Sequence, residues 1–350
     1  MTSLATRRFV LPIAAGVALT MAACSSTTSP AASDSTESAP AADPLTVMTA
    51  FYPLQYLTEH IGGDLVSVSL LTPPGGEAHD LELTPAKVEE LRNSDAVVYL
   101  KGFQSAVDEA VEAAPPSHVV DVSEAAQLVE RTETTDVAHD AETTETHDHA
   151  TETSHAHDHA AETTTSETAT THDDHDHATA GDPHFWLDPT RMGQVATVIG
   201  QALAAADPVN AQTYTTNAGS VKKQMDELSA SLVQGTATCT HKTFVTSHTA
   251  FGYLADRTGL EQVGISGLDP DSSPSPARLQ EIANLVKAEG ITTIFTEALI
   301  DPKVAQTLAS DLGITTAVLD PLESQNDDSK DYVAVMKENL AALRTALDCQ

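Results

Sequence analysis

Short apolar segments alternate with longer amphipathic segments along most of the chain, and this alternation predicts strands followed by helices. The predicted strands cover residues 45–50, 66–71, 96–100, 118–122, 244–247, 261–265, 293–296 and 316–319. The predicted helices cover residues 54–60, 85–93, 103–113, 190–206, 208–234, 251–258, 276–289, 303–312 and 331–347. Strands that alternate with helices form parallel sheets flanked by helices, so we expect an α/β fold.

Two segments lack this pattern. Residues 25–43 consist only of Ser, Thr, Ala, Pro, Asp and Glu, which cannot bury a core, so we expect a disordered tether over residues 24–43. Residues 132–181 lack Lys, Arg and aromatic side chains, and their spaced histidines permit many weak chelates, so we predict a disordered loop that collects zinc. The alternative is a solvated acidic linker. The loop histidines are His139, His147, His149, His155, His157, His159, His172, His175 and His177.

The first 23 residues resemble an export signal. Arg7 and Arg8 form a basic start, and the apolar segment Phe9–Met21 is too short to span a membrane comfortably. Met21–Cys24 resembles a bacterial lipobox, although Met stands where Leu is usual. We therefore expect cleavage before Cys24, lipidation of that cysteine and export by the general secretory or the twin-arginine route. An ordinary secretory peptide with an incidental cysteine is the alternative.

The other two cysteines indicate a disulfide, and the net charge excludes one class of function. Export leads to an oxidising compartment, so we expect a disulfide between Cys239 and Cys349. A thiolate metal site is disfavoured, because His241 is the only Cys or His near either cysteine in the sequence. The formal net charge of −34 excludes a nucleic-acid-binding protein, which needs a basic surface.

Four residues occupy comparable loop positions and are candidate metal ligands. His79 and His184 lie in Pro-containing loops, and His248 and Asp320 each follow a predicted strand. Ligands of α/β proteins bind at the carboxyl edge of the sheet. Three imidazoles and a carboxylate in a four-coordinate shell favour Zn(II). The histidines interpreted as surface or core residues are His60, His118 and His241.

Several motifs together resemble one protein family, the ZnuA-type (cluster A-I) solute-binding lipoproteins of ABC importers for zinc and manganese. The resemblance covers roughly residue 44 to the end, apart from the His-rich loop. The motifs are Phe51–Leu54, Gly75–Asp80, Asp182–Pro189, Thr246–Leu254, Phe295–Glu297 and Leu319–Leu322.

Carried over position by position, the resemblance implies the ligand set His79, His184, His248 and Asp320. Manganese members carry Glu where this chain has His248, so zinc is favoured and manganese is the alternative. Some zinc members use a Glu directly before the first His, but Ala78 stands there, which favours Asp320. Glu297 is expected to hold a ligating imidazole, with a role as fifth oxygen ligand as the alternative. Asp80 is expected to cap the loop or support a ligand.

The resemblance also implies two α/β lobes joined by a rigid long helix, with the ion in the cleft between them. The predicted N-terminal lobe comprises residues 44–131 and 182–207, the linking helix residues 208–234 and the C-terminal lobe residues 235–350. The expected partners are zinc, an ABC permease and, through the lipid, the outer face of the bacterial cytoplasmic membrane. We expect a monomer.

The predicted function is capture of extracytoplasmic zinc for delivery to the permease, without catalysis. A zinc hydrolase is a second hypothesis, because three His and a carboxylate can activate water. The sequence contains no HExxH motif, and a fourth protein ligand would close the shell that catalysis needs open. A third hypothesis is a zinc-storage or adhesion protein in which the folded part carries the His-rich loop.

Overall fold

The computed structural model describes residues 43–131, 181–299 and 301–350. These described residues belong to one compact unit with two four-stranded sheets, and all strand pairings in these sheets are parallel. The predicted α/β fold class is thereby confirmed. The predicted signal peptide, Cys24, the tether and the nine loop histidines lie outside the described residues. None of the described helices combines the length and apolar character needed to cross a membrane.

The first sheet has the strand order β2-β1-β3-β4. Its central strand β3 is a four-residue apolar run that is buried throughout, as expected for a parallel strand covered on both faces. The strands are β1 (Leu45–Thr49), β2 (Val66–Leu70), β3 (Ala96–Tyr99) and β4 (His118–Asp121). The helices are α1 (Tyr52–Gly62), α2 (Pro85–Asn93), α3 (Ser105–Ala113) and the short α4 (Ser123–Ala126), which the sequence pattern did not predict.

Two long helices follow, α5 (Pro189–Ala206) and α6 (Ala211–Thr236). The start of α5 has strong sequence signals, because Asp188 caps it by accepting a hydrogen bond from the backbone N–H of Thr190. Helix α6 begins three residues later than the predicted 208. Asp207 accepts hydrogen bonds there from the side chains of Asn210 and Tyr214, which holds the intervening residues in a turn.

The second sheet repeats the topology of the first, with the order β6-β5-β7-β8. Its strands are β5 (Thr243–Thr246), β6 (Glu261–Gly264), β7 (Thr293–Thr296) and β8 (Thr315–Val318). Its helices are α7 (Gly252–Thr258), α8 (Pro276–Glu289), α9 (Lys303–Leu312) and α10 (Tyr332–Ala346). Helix α6 contacts α1 and α5 as well as α7 and α10, so it connects the two halves. The predicted lobe boundaries stay a prediction.

The buried apolar residues form two clusters. The larger one runs from the first sheet through α5 and α6 to α10 and contains Trp186, whose side chain is fully buried. The smaller one includes Val245 and Ile294 of the second sheet and Val286 of α8. The chain end is attached to this scaffold by a disulfide between Cys239, just after α6, and Cys349.

Candidate metal centre

Four side chains from distant parts of the sequence converge on one point. They are His79, His184, His248 and Glu323, and their ligand atoms all lie within 4.8 Å of one another. Nε2 of His79 lies 3.2 Å from Nε2 of His184. Oε1 of Glu323 lies 3.6 Å from Nε2 of His79, 3.3 Å from that of His184 and 3.4 Å from that of His248. Two of the residues precede α6 and two follow it.

These distances match the edges of a tetrahedral zinc shell. With zinc–nitrogen and zinc–oxygen bonds of about 2.0–2.1 Å, tetrahedral geometry separates neighbouring ligand atoms by about 3.3–3.4 Å. The four measured separations of 3.2, 3.3, 3.4 and 3.6 Å fall close to this value. Four of the six separations within the cluster therefore have the spacing needed to share one ion, and the other two are no longer than 4.8 Å.

Two buried ligand atoms of the cluster have ion-pair neighbours but no well-aligned hydrogen bond within the protein. Oε1 of Glu323 and Nε2 of His248 have no well-aligned hydrogen-bond partner among the described residues. Buried polar groups are normally hydrogen-bonded, because an unpaired group costs roughly 1–3 kcal/mol. A cation among the four side chains would satisfy both atoms, and three nitrogen donors with one oxygen donor suit Zn(II).

His79 lies in the loop after β2. Gln104 secures this loop by donating its Nε2 to the carbonyl of Ala78 and to Oγ1 of Thr72, both at 2.9 Å. The ring of His79 packs edge-on against Phe103 at a centroid distance of 4.9 Å. His79 is the most exposed of the four, although only 14% of its side chain is accessible.

His184 is fully buried and is oriented by Asp182. Oδ1 of Asp182 accepts the backbone N–H of His184 at 3.0 Å and lies 2.8 Å from Nδ1 of the ring. With its Nδ1 bound to a carboxylate, the imidazole presents Nε2 to the metal. Oδ2 of Asp182 accepts from Nε of Arg131 at 2.8 Å. The orienting role of Asp182 was missed from the sequence.

His248 follows β5, a central strand of the second sheet, and Glu297 follows the adjacent strand β7. The strand order reverses between these two strands, and this is where ligands bind in open α/β sheets. Oε2 of Glu297 lies 2.7 Å from Nδ1 of His248, and its Oε1 accepts the backbone N–H of His248 at 3.2 Å. The structure thus places Glu297 against a ligand imidazole and outside the ligand cluster.

The predicted fourth ligand, Asp320, is not part of the cluster, and Glu323 occupies its place. Both carboxylate oxygens of Asp320 are engaged in shaping the loop after β8. Oδ1 accepts the backbone N–H of Leu322 at 2.8 Å, and Oδ2 accepts from Nδ2 of Asn326 at 3.2 Å. Leu322 adopts a positive φ of 61°, which is costly for a branched residue. This turn directs Glu323 inward, and Asp320 is a support for the ligand loop.

The electrostatics of the cluster favour positive charge. Burial opposes protonation of His248, but Glu297 and Glu323 outweigh it and raise its pKa to about 10. Burial also opposes a charge on His184, yet Asp182 and Glu323 raise its pKa above the ordinary value. Burial disfavours the Glu323 carboxylate, but the three imidazoles hold its pKa well below the usual range. A bound divalent cation has to displace protons from these imidazoles.

Further carboxylates surround the cluster without joining it. Glu77 is half-buried, and burial together with the charge of Glu323 raises its pKa. Its Oε1 accepts the backbone N–H of His79 at 3.0 Å. Asp80 is exposed and near Asp269 and Asp271; partial burial and these two neighbours raise its pKa. No hydrogen bond joins Asp80 to a member of the cluster among the described contacts.

A family profile described as zinc-uptake complex component A, periplasmic (ZnuA), matches residues 47–346. The chain belongs to this family. It is 32% identical to the zinc-binding protein AdcA of Streptococcus pyogenes over 307 residues, which are 86% of this chain and 56% of that protein. It is also 32% identical to the high-affinity zinc uptake system protein ZnuA of Bacillus subtilis over 336 residues, 94% of each chain.

Solved structures share the fold. The laminin-binding protein Lmb of Streptococcus agalactiae, described as a bifunctional protein with adhesin and metal transporting activity, superposes with a TM-score of 0.69. It is 29% identical, and the match covers 87% of this chain and 99% of that structure. The chain thus spans nearly all of the Bacillus and agalactiae relatives, but only 56% of the length of the first curated relatives such as AdcA.

Proposed function

We propose that the chain is an extracytoplasmic zinc-binding protein that captures Zn(II) and delivers it to an ABC-type permease for uptake. The observation that carries the proposal is the cluster of His79, His184, His248 and Glu323, whose ligand atoms are spaced like a tetrahedral zinc shell. Membership of the zinc-uptake family agrees with this donor set. Manganese prefers more oxygen donors, so it is the less suitable cargo.

The proposed anchoring and loading depend on segments outside the described residues. Cys24 would carry a lipid that holds the protein at the outer face of the membrane, and the curated relative in Streptococcus pneumoniae strain R6 is described as a zinc-binding lipoprotein. The nine loop histidines would collect zinc and pass it to the fixed site. We propose that the protein is a monomer. We also propose that it catalyses no reaction, because four protein ligands leave no open position on a tetrahedral zinc.

Competitive titration of the lipid-free protein with Zn(II) and Mn(II) tests this function. The expected result is one tight zinc site per chain, with zinc preferred over manganese. His184→Ala should abolish the tight site, whereas His118→Ala, a matched control on β4 away from the cluster, should retain it. Tight zinc binding that survives in His184→Ala, or a preference for manganese, would contradict the proposal.

A zinc-storage function makes a different prediction for the His-rich segment. In a transport protein, deletion of residues 132–180 removes weak sites and leaves the tight site intact. In a storage protein, the same deletion removes most of the zinc ions that each chain can bind. Zinc stoichiometry of the deletion variant, measured at free zinc concentrations below and above the tight dissociation constant, separates the two.

Surface adhesion is a second candidate function, favoured by the similarity to a solved structure described as a laminin-binding adhesin. Binding of the lipid-free protein to immobilised laminin, with and without zinc, tests it. Binding that saturates would add adhesion to zinc capture, and absence of binding at micromolar protein would remove the candidate.

A further inference from the structure

The ligand cluster is nearly sealed, which raises the question of how an ion enters and leaves. The side chains of His184 and His248 are fully buried, and that of Glu323 is 3% exposed. His79 is the most accessible ligand at 14%. The side of the cluster formed by the loop that contains His79 is therefore the one most accessible to an ion.

A small cavity lies beside the cluster and is lined by Glu323. Its volume is about 10 Å³, which is room for a single water-sized sphere. The cavity wall includes the buried residues Glu323 and Glu297 together with the exposed residues Leu299 and Asn326, so the cavity borders both the ligand cluster and the protein surface.

Glu77 is the half-buried carboxylate that lines this same cavity. Its position is fixed, because its Oε1 accepts the backbone N–H of His79, two residues further on. The loop that carries it is in turn held against the Glu323 loop, since the backbone N–H of Gly75 donates to Oγ of Ser324 at 2.7 Å. Glu77 thus lines the same cavity as the ligand Glu323, at a place where loops from before and after α6 meet.

A cavity of about 10 Å³ cannot accommodate a zinc ion with its full hydration shell. An ion that loses water in a low-dielectric passage needs replacement donors, because an unpaired buried charge is very costly. Zinc can expand its coordination from four to five ligands, so a nearby carboxylate can bind the ion before an existing ligand dissociates. A free carboxylate oxygen at the cavity would lower the barrier to exchange without being needed in the resting shell.

We propose that Glu77 is a transfer ligand, which binds zinc transiently as the ion enters or leaves the cluster. This inference rests on the proposed zinc-binding function and adds the route and the residue that controls its speed. Because Glu77 acts on the barrier, its removal should slow binding and release together and change the equilibrium affinity much less.

The test is a comparison of zinc exchange in the full chain and in Glu77→Gln, which keeps an oxygen acceptor for the backbone N–H of His79 but removes the charge. Release of zinc to an excess of strong chelator and rebinding of zinc are followed by stopped flow. We expect both rates to fall about tenfold, with a change in dissociation constant of less than about threefold. Glu82→Gln, an exposed glutamate in the same segment, is the control for loss of charge and should exchange like the parent.

Three outcomes would overturn the inference. Unchanged rates in Glu77→Gln would show that the carboxylate only holds the loop. A faster release matched by an equal loss of affinity would make Glu77 an ordinary ligand of the resting site. A parent chain that binds no zinc would contradict the proposed function as well, whereas the first two outcomes leave that function standing.

Discussion

The assignment of the fourth ligand can be tested by removing one charge at two neighbouring positions. Glu323→Gln replaces a carboxylate oxygen that lies 3.3–3.6 Å from three imidazole nitrogens. Asp320→Asn removes a charge whose hydrogen bonds, among the described residues, stay within its own loop. The two substitutions are chemically equivalent and three residues apart, so they serve as controls for each other.

The expected loss of zinc affinity in Glu323→Gln follows from the burial of this side chain. The side chain is 3% exposed, so the attraction between a bound cation and this carboxylate is weakly screened. Removal of one partner from a buried charge pair costs roughly 3–5 kcal/mol, which corresponds to a zinc affinity weaker by roughly 150- to 4,000-fold. For Asp320→Asn the amide oxygen still accepts the N–H of Leu322, so we expect a loss of zinc affinity no greater than about tenfold, the lower end of the range for residues that support a metal ligand.

Two measurements check these values. Competition with a chromophoric chelator gives the zinc dissociation constants directly. Thermal or denaturant unfolding with free zinc at about 100 times the parent dissociation constant gives a zinc-dependent stabilisation of about 2.7 kcal/mol for the parent and below about 0.5 kcal/mol for Glu323→Gln. An Asp320→Asn variant that loses more affinity than Glu323→Gln would refute the ligand assignment.

Four further predictions concern the metal site and the stability of the fold. His248→Glu should lose the preference for zinc over manganese, because the substitution replaces a nitrogen donor by oxygen and places a second carboxylate beside Glu297. Unchanged selectivity in a competition titration with Zn(II) and Mn(II) would contradict the role of His248 as a ligand. The zinc affinity of the fixed site should rise with pH up to about 10, because His248 in the zinc-free protein must lose a proton to bind the metal. The zinc dissociation constant is measured between pH 6 and 10. An affinity that stops rising near pH 6.5 would argue against a protonated His248. In the zinc-free protein, the same raised pKa stabilises the fold below about pH 6.5, the unfolded value, and this stabilisation is lost as the pH rises through about 10. Replacement of Cys239 and Cys349 by Ser should lower the free energy of unfolding by about 2–5 kcal/mol, because the disulfide closes a long loop with a sequence separation of 110 residues. Equal denaturation midpoints of the variant and the parent would show that the disulfide does not stabilise the fold.

The fold was predictable because its strands carry local signals. Runs such as Ala96–Tyr99 and Thr293–Thr296 are short, rich in β-branched or aromatic residues and separated by helices with clear starts. The structure shifts β8 and β5 by only one residue from their predicted ranges. The start of α6 was less predictable, since the side chain of Asp207 organises a turn with Asn210 that delays the helix.

The candidate site was only partly accessible from the sequence. The structure brings together the three histidines that follow predicted strands or lie in Pro-rich loops. Glu323 gave no comparable signal, because it lies five residues beyond the end of β8 and its direction depends on the positive φ of Leu322. A side chain whose orientation is set by a turn cannot be selected by a rule that considers only strand ends.

A local signal in the chain nevertheless points away from Asp320. In several Asp-Pro pairs the aspartate side chain accepts the backbone N–H of the residue two positions later, which is the turn expected for this sequence. The aspartates that do so are Asp182, Asp188, Asp269, Asp301 and Asp320. An aspartate held by its own turn has fewer free lone pairs for a metal, so the first carboxylate after the turn is the better candidate. In the segment after β8 that carboxylate is Glu323, and the same reasoning makes Asp182 a partner of His184 and not a ligand.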